Sequence, residues 1–409
     1  MNSSPYAAAA RINLEHICGN YRLLCGILAA GNDGAGSAAG RGGMEFAWPA
    51  LMPVVKSDAY GHGHVQVAHA LMEREGAAVF ASGHVREAAA LRRGLDAKRE
   101  LRSAPPRIVS LLGPLGPDDL RLCADFGIIP AIHSFEQISW LRVVDKPLPV
   151  AIKCNSGMAR LGFNPEEMEE AAKRLGAAPG ALPVLALSHL AKADADEESI
   201  RAQAAAFAGM LEPLRRAWPD MAVSLCNSAG TLQSRAVSEI IGRHVCRPGI
   251  ALYGANPLHG TALAPLGKDF TPAMAVSAPI MAVRSLAPGE GFGYGHAFVA
   301  EKKTRVGIVA AGYADHLARG LSNRGFFCAG GKRARILGRV SMQMTAVDLS
   351  DIPESGAGEL VWPLGGPCGN AVRAEELADI LGTISYEVLC LMGSNPRIYE
   401  ASRREENAP

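Results

Sequence analysis

Val54-Val55-Lys56-Ser57-Asp58-Ala59-Tyr60-Gly61-His62-Gly63-His64 brings a short apolar run to an end on a lysine and passes at once into a loop rich in glycine and histidine. The same grammar recurs along the chain. Apolar runs at 52–55, 77–81, 108–112, 128–132, 150–152, 184–187, 222–226 and 244–246, the last merging into 249–253, alternate with stretches able to form helices, such as 166–175. Continuous apolar runs between amphipathic segments predict parallel strands covered by helices. Eight such units predict a (β/α)8 barrel of the TIM type. The residues at the end of each run carry the functional information: Lys56, Ser82-Gly83, Gly113, His133, Lys153, His189, Asn227-Ser228 and Arg247. In such a barrel the carboxyl ends of the strands form the active-site face, so these residues converge on one mouth.

Upstream, Leu14, Ile17, Tyr21, Leu24 and Leu28 are spaced three and four apart and predict a first helix. The Gly/Ala/Ser stretch 31–43 has no apolar periodicity and reads as a flexible insertion. From about residue 269 the texture changes to prolines, glycine-rich turns and β-type runs at 306–309, 336–340, 345–349 and 360–362, with helices at 373–381 and 386–391. The expected organisation is therefore a barrel over 1–268 followed by a mostly-β domain over 269–409.

Composition narrows the partners. With 41 Lys plus Arg against 40 Asp plus Glu, there is no basic excess to favour nucleic acid or an anionic membrane. No run reaches the ~18 apolar residues of a membrane span, and 7–10 is too short for a signal-peptide core. The nine cysteines form no C-x-x-C pair and leave one over, which argues for reduced thiols and a cytoplasmic setting.

A lysine at a strand end ordinarily sends its ammonium into solvent. At a crowded barrel mouth it loses solvation, its pKa falls, and the neutral amine can form an imine with a carbonyl. Asn227-Ser228-Ala229-Gly230 and Pro248-Gly249-Ile250 come after the last two runs, where barrels commonly bind phosphate through backbone N–H groups and a hydroxyl. Gly289-Glu290-Gly291-Phe292-Gly293-Tyr294-Gly295 lacks the strand-to-helix setting and the spacing of a nucleotide loop, and reads as a cluster of β-turns. A metal-dependent barrel hydrolase using His62, His64, Lys153 and His189 is the competing reading, as is a non-catalytic carrier of a phosphorylated carbonyl compound held by Lys56 and those phosphate turns. The first fits poorly, because His62 and His64 lie beyond the strand end and an arginine closes the last strand.

The 54–63 stretch resembles the pyridoxal-phosphate lysine motif of the alanine racemases. Further resemblances occur in the family's order: the segments 153–162, 188–194, 227–230, 247–254, 293–295, 312–315, 338–342, 385–390 and 396–399. The resemblance implies a homodimeric racemase with pyridoxal 5′-phosphate on Lys56 and no metal. Lys56 and Tyr294 act as bases on opposite faces of the substrate Cα, Tyr294 coming from the other subunit. It further implies Tyr60, Asn227, Ser228, Gly249, Ile250 and Tyr386 around the phosphate, with Arg247 against the pyridine nitrogen. His189 lies between Arg247 and a catalytic tyrosine, and Arg160 and the Met342 backbone N–H receive the substrate carboxylate. Lys153 is a candidate for carbamylation, positioning Arg160, and Tyr313 and Tyr386 stand at the entrance. An arginine facing the pyridine would leave the ring a weaker electron sink than an aspartate would, which suits racemisation over side reactions. Two departures are visible: Gln343 where the family commonly carries Asp, and Cys154-Asn155 in place of x-Asp.

Overall fold

The computed structural model describes residues 7–31, 48–98 and 104–400. The 31–43 stretch, Gly31 apart, lies outside them. Six strands, Val79–His84, Arg107–Gly113, Ile128–Ile132, Leu148–Lys153, Ala181–Leu187 and Ala222–Ser224, form a parallel sheet in sequence order. The first and eighth runs are not regular strands but single bridges, Val54 to Ala81 and Leu51 to Cys246. Their backbone hydrogen bonds still close the ring: Val55 N–H to Ala81 O at 2.8 Å, Met52 N–H to Cys246 O at 2.8 Å and Val245 N–H to Val223 O at 2.9 Å. Pro53 and Pro248 account for the broken ladders, since neither has an N–H to donate.

Helices cover the sheet as the alternation requires. Leu14–Gly31, His64–Glu75, Val85–Asp96, Pro117–Phe126, Met168–Ala177 and Glu197–Ala217 present their buried residues to it, the last capped by Asp196 accepting from the Ser199 N–H at 2.6 Å.

The second sheet is built on Met274–Leu286, a 13-residue strand that pairs antiparallel with Thr304–Val309 and with Leu360–Leu364. Its length was hidden by Pro279, which contributes only a carbonyl, accepting from the Ala310 N–H at 2.9 Å. Ala9–Ile12 lies in this sheet too, antiparallel to Met274–Leu286 and parallel to Arg397–Tyr399. Phe326–Ala329, Lys332–Leu337 and Thr345–Asp348 complete it. Gly291–Phe292 and Phe298–Val299 form a separate hairpin, so the glycine-rich stretch before Tyr294 is a turn cluster as expected. One continuous hydrophobic core runs from the barrel into this sheet.

The expectation of reduced thiols is corrected at one place. Cys328 and Cys368 are joined as a disulfide, their Cα atoms 6.1 Å apart. They are 40 residues apart in sequence, and folding of the second sheet against the 365–372 turn brings them together. Cys18, Cys25, Cys123, Cys154, Cys226, Cys246 and Cys390 are free. Among the described residues no helix is long and apolar enough to cross a membrane.

Candidate active site

Lys56 leaves the first barrel segment and the chain immediately winds left-handed. Ser57, Asp58, Ala59 and Tyr60 have φ of 52°, 52°, 56° and 53°, with Ala59 N–H donating to Val55 O at 2.9 Å and Gly61 N–H to Ser57 O at 3.1 Å. Such a conformation costs about 1–2 kcal/mol for each residue carrying a Cβ, so it persists only where its surroundings fix it. They do. The Asp58 carboxylate accepts from the His64 N–H at 2.8 Å, contacts His64 Nδ1 and pairs with Arg397 at 2.6 Å, while the Asp58 N–H donates to Glu87 at 3.1 Å. Burial alone would raise the Asp58 carboxyl; the His64 hydrogen bonds and the Arg397 charge outweigh it and hold the group well below the usual carboxylate range. Arg397 also donates to Gly61 O at 2.7 Å, so the second domain's last strand clamps the lysine's turn.

Around Lys56 the structure gathers cations. Burial, then Arg160 and Arg247, push the Lys56 ammonium down, with Glu87 opposing. Lys153 is pushed down to about 7 by burial, then by Arg247, Arg160 and Lys56. Burial, then Arg247, Lys153, Arg160 and Lys56, lower His189 to about 2, so its imidazole is neutral. Burial lowers Arg247 to about 10, which leaves it charged at neutral pH. Arg247 is oriented by Ser224 Oγ and Ser188 O and lies 3.3 Å from His189 Nδ1. Among the described residues no ion pair involves Lys56, Lys153, Arg160 or Arg247. Glu87 acts on Lys56 without pairing to any of the four, so the cluster keeps an excess of positive charge, which suits an anion.

The phosphate turns lie beside this cluster. Asn227 Oδ1 accepts from the Gly230 N–H at 3.0 Å, and Ser228 Oγ accepts from the Gly249 N–H at 2.8 Å. A Cβ on Gly249 would come within 2.3 Å of the Tyr60 hydroxyl, so glycine is what lets that hydroxyl reach the turn. The Tyr60 ring packs at 4.9 Å from Tyr253 and 5.8 Å from Tyr386. Ile250 begins the short turn Ile250–Tyr253. Two hydroxyls, a cap amide and successive backbone N–H groups thus surround one place, and that donor set fits a phosphate.

Other expected residues stand elsewhere. Tyr294 is 71% exposed, Met342 58% and Tyr313 43%, all on the second domain. Tyr313 N–H and Ala314 N–H donate to Ser341 O and Met342 O, which joins those two segments to each other. No hydrogen bond or ring contact among the described residues links Tyr294 to the Lys56 cluster. His62 and His64 are occupied structurally. His62, lowered to about 4 by burial, stacks on Tyr253 at 4.5 Å, and its Nδ1 faces Ala59 O and Tyr60 O. The hydrolase reading loses its ligands.

Glu87 and the role of Arg397 escaped the sequence reading. Glu87 accepts from Ser82 Oγ and the Gly83 N–H at 2.9 and 2.8 Å, tying the second strand's end to the lysine's turn. Its sequence signal, an acidic residue in a first helical turn, is shared by many helices.

A lysine of lowered pKa among unpaired cations, beside a phosphate cradle at a barrel mouth, defines an enzyme of the Schiff-base class built on a (β/α)8 barrel with an appended β domain. Residues 45–257 match the family model described as alanine racemase, N-terminal domain, and residues 273–399 that described as alanine racemase, C-terminal domain. The chain belongs to the alanine racemase family. It is similar to the alanine racemase of Nitratidesulfovibrio vulgaris strain DP4, with 48% identity over 357 residues, 86% of this chain and 91% of that protein. Among solved structures it resembles the biosynthetic alanine racemase from Pseudomonas aeruginosa, with a TM-score of 0.79 and 33% identity over 97% of this chain and 100% of that one. The alanine racemase from Bartonella henselae with covalently bound pyridoxal phosphate has a TM-score of 0.77 and 27% identity, over 97% of this chain and 100% of that one.

Proposed function

We propose that this chain interconverts L-alanine and D-alanine with pyridoxal 5′-phosphate by a two-base mechanism, as a cytoplasmic homodimer whose active sites are shared between subunits. The observation that carries the reading is the cationic excess around the half-buried Lys56 and Lys153, neither of them in an ion pair among the described residues, beside the phosphate turns. When bound, the cofactor supplies a carbonyl that condenses with an amine and a ring that spreads negative charge arising at Cα.

The chain's own residues do the rest. Tyr60, Asn227, Ser228, Tyr386 and the N–H groups of Gly249 and Ile250 would hold the phosphate, and Arg247, which cannot readily give up a proton, would keep a facing pyridine nitrogen unprotonated. Arg160 and the Met342 N–H hold the substrate carboxylate. The Lys56 amine, its pKa lowered chiefly by burial, takes or returns the proton on one face of Cα. The Tyr294 hydroxyl of the partner subunit returns or takes it on the other. Neutral His189 bridges towards Arg247 and orients the tyrosine. Lys153, as a carbamate, pairs with Arg160. Tyr313 and Tyr386 line the entrance.

The test is a visible spectrum joined to an assay of D-alanine formed from L-alanine. The purified protein is expected to be yellow and active, and Lys56→Ala to lose both the visible band and the activity. A colourless protein that gains no band on adding pyridoxal phosphate and does not racemise alanine would overturn the reading.

A further inference from the structure

The seventh barrel strand, Ala222–Ser224 with the residues that follow it, and the eighth run, 244–247, here called strands seven and eight, carry a second cluster outside the catalytic one. Val245 N–H donates to Val223 O, and two residues later Arg247 N–H donates to Cys226 O. Strand seven therefore advances three residues where strand eight advances two, which is a β-bulge. It displaces the Leu225 carbonyl from the ladder, where Arg247 takes it up at 3.4 Å, and turns Cys226 to the side occupied by Cys246. His244 and Cys246, two apart on an extended segment, share that side.

The result is three donors around one point. His244 Nε2 lies 3.4 Å from Cys226 Sγ and 3.5 Å from Cys246 Sγ, and all three ligand atoms are within 4.8 Å of one another. A tetrahedral ion with metal–sulfur and metal–nitrogen bonds of about 2.3 and 2.0–2.1 Å sets its sulfur and nitrogen ligands about 3.5 Å apart. Both sulfur–nitrogen edges match. His244 Nδ1 lies 3.1 Å from Gly242 O, a group that only accepts, so Nδ1 carries the proton and Nε2 turns its lone pair towards the sulfurs. One lone pair can satisfy one thiol hydrogen, whereas a cation satisfies all three donors. Cys226 and Cys246 are 0% and 1% exposed while His244 is half-buried, which gives an ion a way in.

We propose that Cys226, His244 and Cys246 bind a soft divalent cation of the Zn2+ type, which cross-links the ends of strands seven and eight behind the phosphate turns. Thiolate and imidazole donors select such an ion over Mg2+ or Ca2+. Binding forms two metal–sulfur bonds and one metal–nitrogen bond and releases the two thiol protons to solvent, leaving a neutral centre without redox change. Each cysteine immediately precedes a segment that faces the cofactor, Asn227-Ser228 and Arg247-Pro248-Gly249. The ion therefore fixes the seat of the phosphate without touching the reacting atoms.

The test uses the full-length protein, dialysed against a chelator under reducing conditions and titrated with Zn2+ in competition with a chromophoric chelator. One tight equivalent per chain is expected, with affinity falling about 100-fold in Cys226→Ser/Cys246→Ser and at least about tenfold in His244→Gln. Zn2+ should raise the unfolding temperature of the parent protein more than that of His244→Gln. Co2+ in place of Zn2+ should give a thiolate charge-transfer band that the double variant lacks. His244 is half-buried, so His244→Gln carries the test if the double variant fails to fold. Absence of tight binding, equal binding in His244→Gln, or a Cys226–Cys246 disulfide as the state that persists in reductant would each overturn the proposal. None of these readouts depends on racemase activity.

Discussion

Lys153 has a folded pKa of about 7, against 10.5 for the free side chain, because it is buried among Arg247, Arg160 and Lys56. Between those two values the unfolded chain binds a proton that the folded one does not, so Lys153 makes the protein gain stability as pH rises from about 7 towards 10.5. Below 7 its cost is present in full. A neutral amine in a cationic pocket is also a nucleophile for carbon dioxide: the nitrogen bonds the carbon, one proton leaves to solvent, and a carbamate anion replaces the neutral amine. The Lys153 carbamate is expected to form at pH 8 and to decline as pH falls through 7. Protein equilibrated with 13C-bicarbonate should show one carbamate resonance that Lys153→Gln abolishes. If no resonance appears at pH 8, or if it survives in Lys153→Gln, Lys153 remains an amine.

The left-handed turn of 57–60 turns on Gly61, whose φ is 82° and where an added Cβ would lie 2.7 Å from Leu389 O and 2.9 Å from Gly393 Cα. Both neighbours are backbone and cannot swing aside. Gly61→Ala is expected to cost about 1–3 kcal/mol and to weaken retention of pyridoxal phosphate, since the turn carries Lys56 and Tyr60. Urea unfolding read beside the visible band checks this, and an unchanged midpoint with full colour would refute it. The same region shows what the sequence could carry. Strand ends were legible because continuous apolar runs stop where side chains meet the barrel mouth, and Lys56, Lys153, His189 and Arg247 all fell at such stops. The left-handed winding was not, because Ser57, Asp58, Ala59 and Tyr60 have no local preference for positive φ and are held there by Glu87 and Arg397 from distant elements. Ala9–Ile12 was missed for the same reason. Four residues of mild character become a strand only when two others, far along the chain, flank them.

Within one chain, Tyr294 stands exposed on the second domain with Met342 and Tyr313, while Lys56 lies at the barrel mouth. A two-fold dimer joins them if each subunit offers its second domain to the other's barrel. Lys56→Ala and Tyr294→Phe homodimers should each be nearly inactive. Mixed by unfolding and refolding, about half the dimers should be heterodimers, each with one doubly damaged and one intact site, so that about a quarter of all sites regain activity. No recovery in a mixture shown to contain heterodimers would refute the shared site. High activity in Tyr294→Phe alone would remove the tyrosine's role.

The strand Ala9–Ile12 also bears on how the molecule is made. It leaves the ribosome long before its partners Met274–Leu286 and Arg397–Tyr399. At roughly 5–20 residues per second it waits on the order of tens of seconds, while the barrel between them has time to fold. The sheet then shuts over a finished barrel, with Ala9–Ile12 and Arg397–Tyr399 side by side as its last seam. A truncated product lacking Arg397–Tyr399 would carry that seam open, its hydrogen-bonding edge exposed to neighbouring chains.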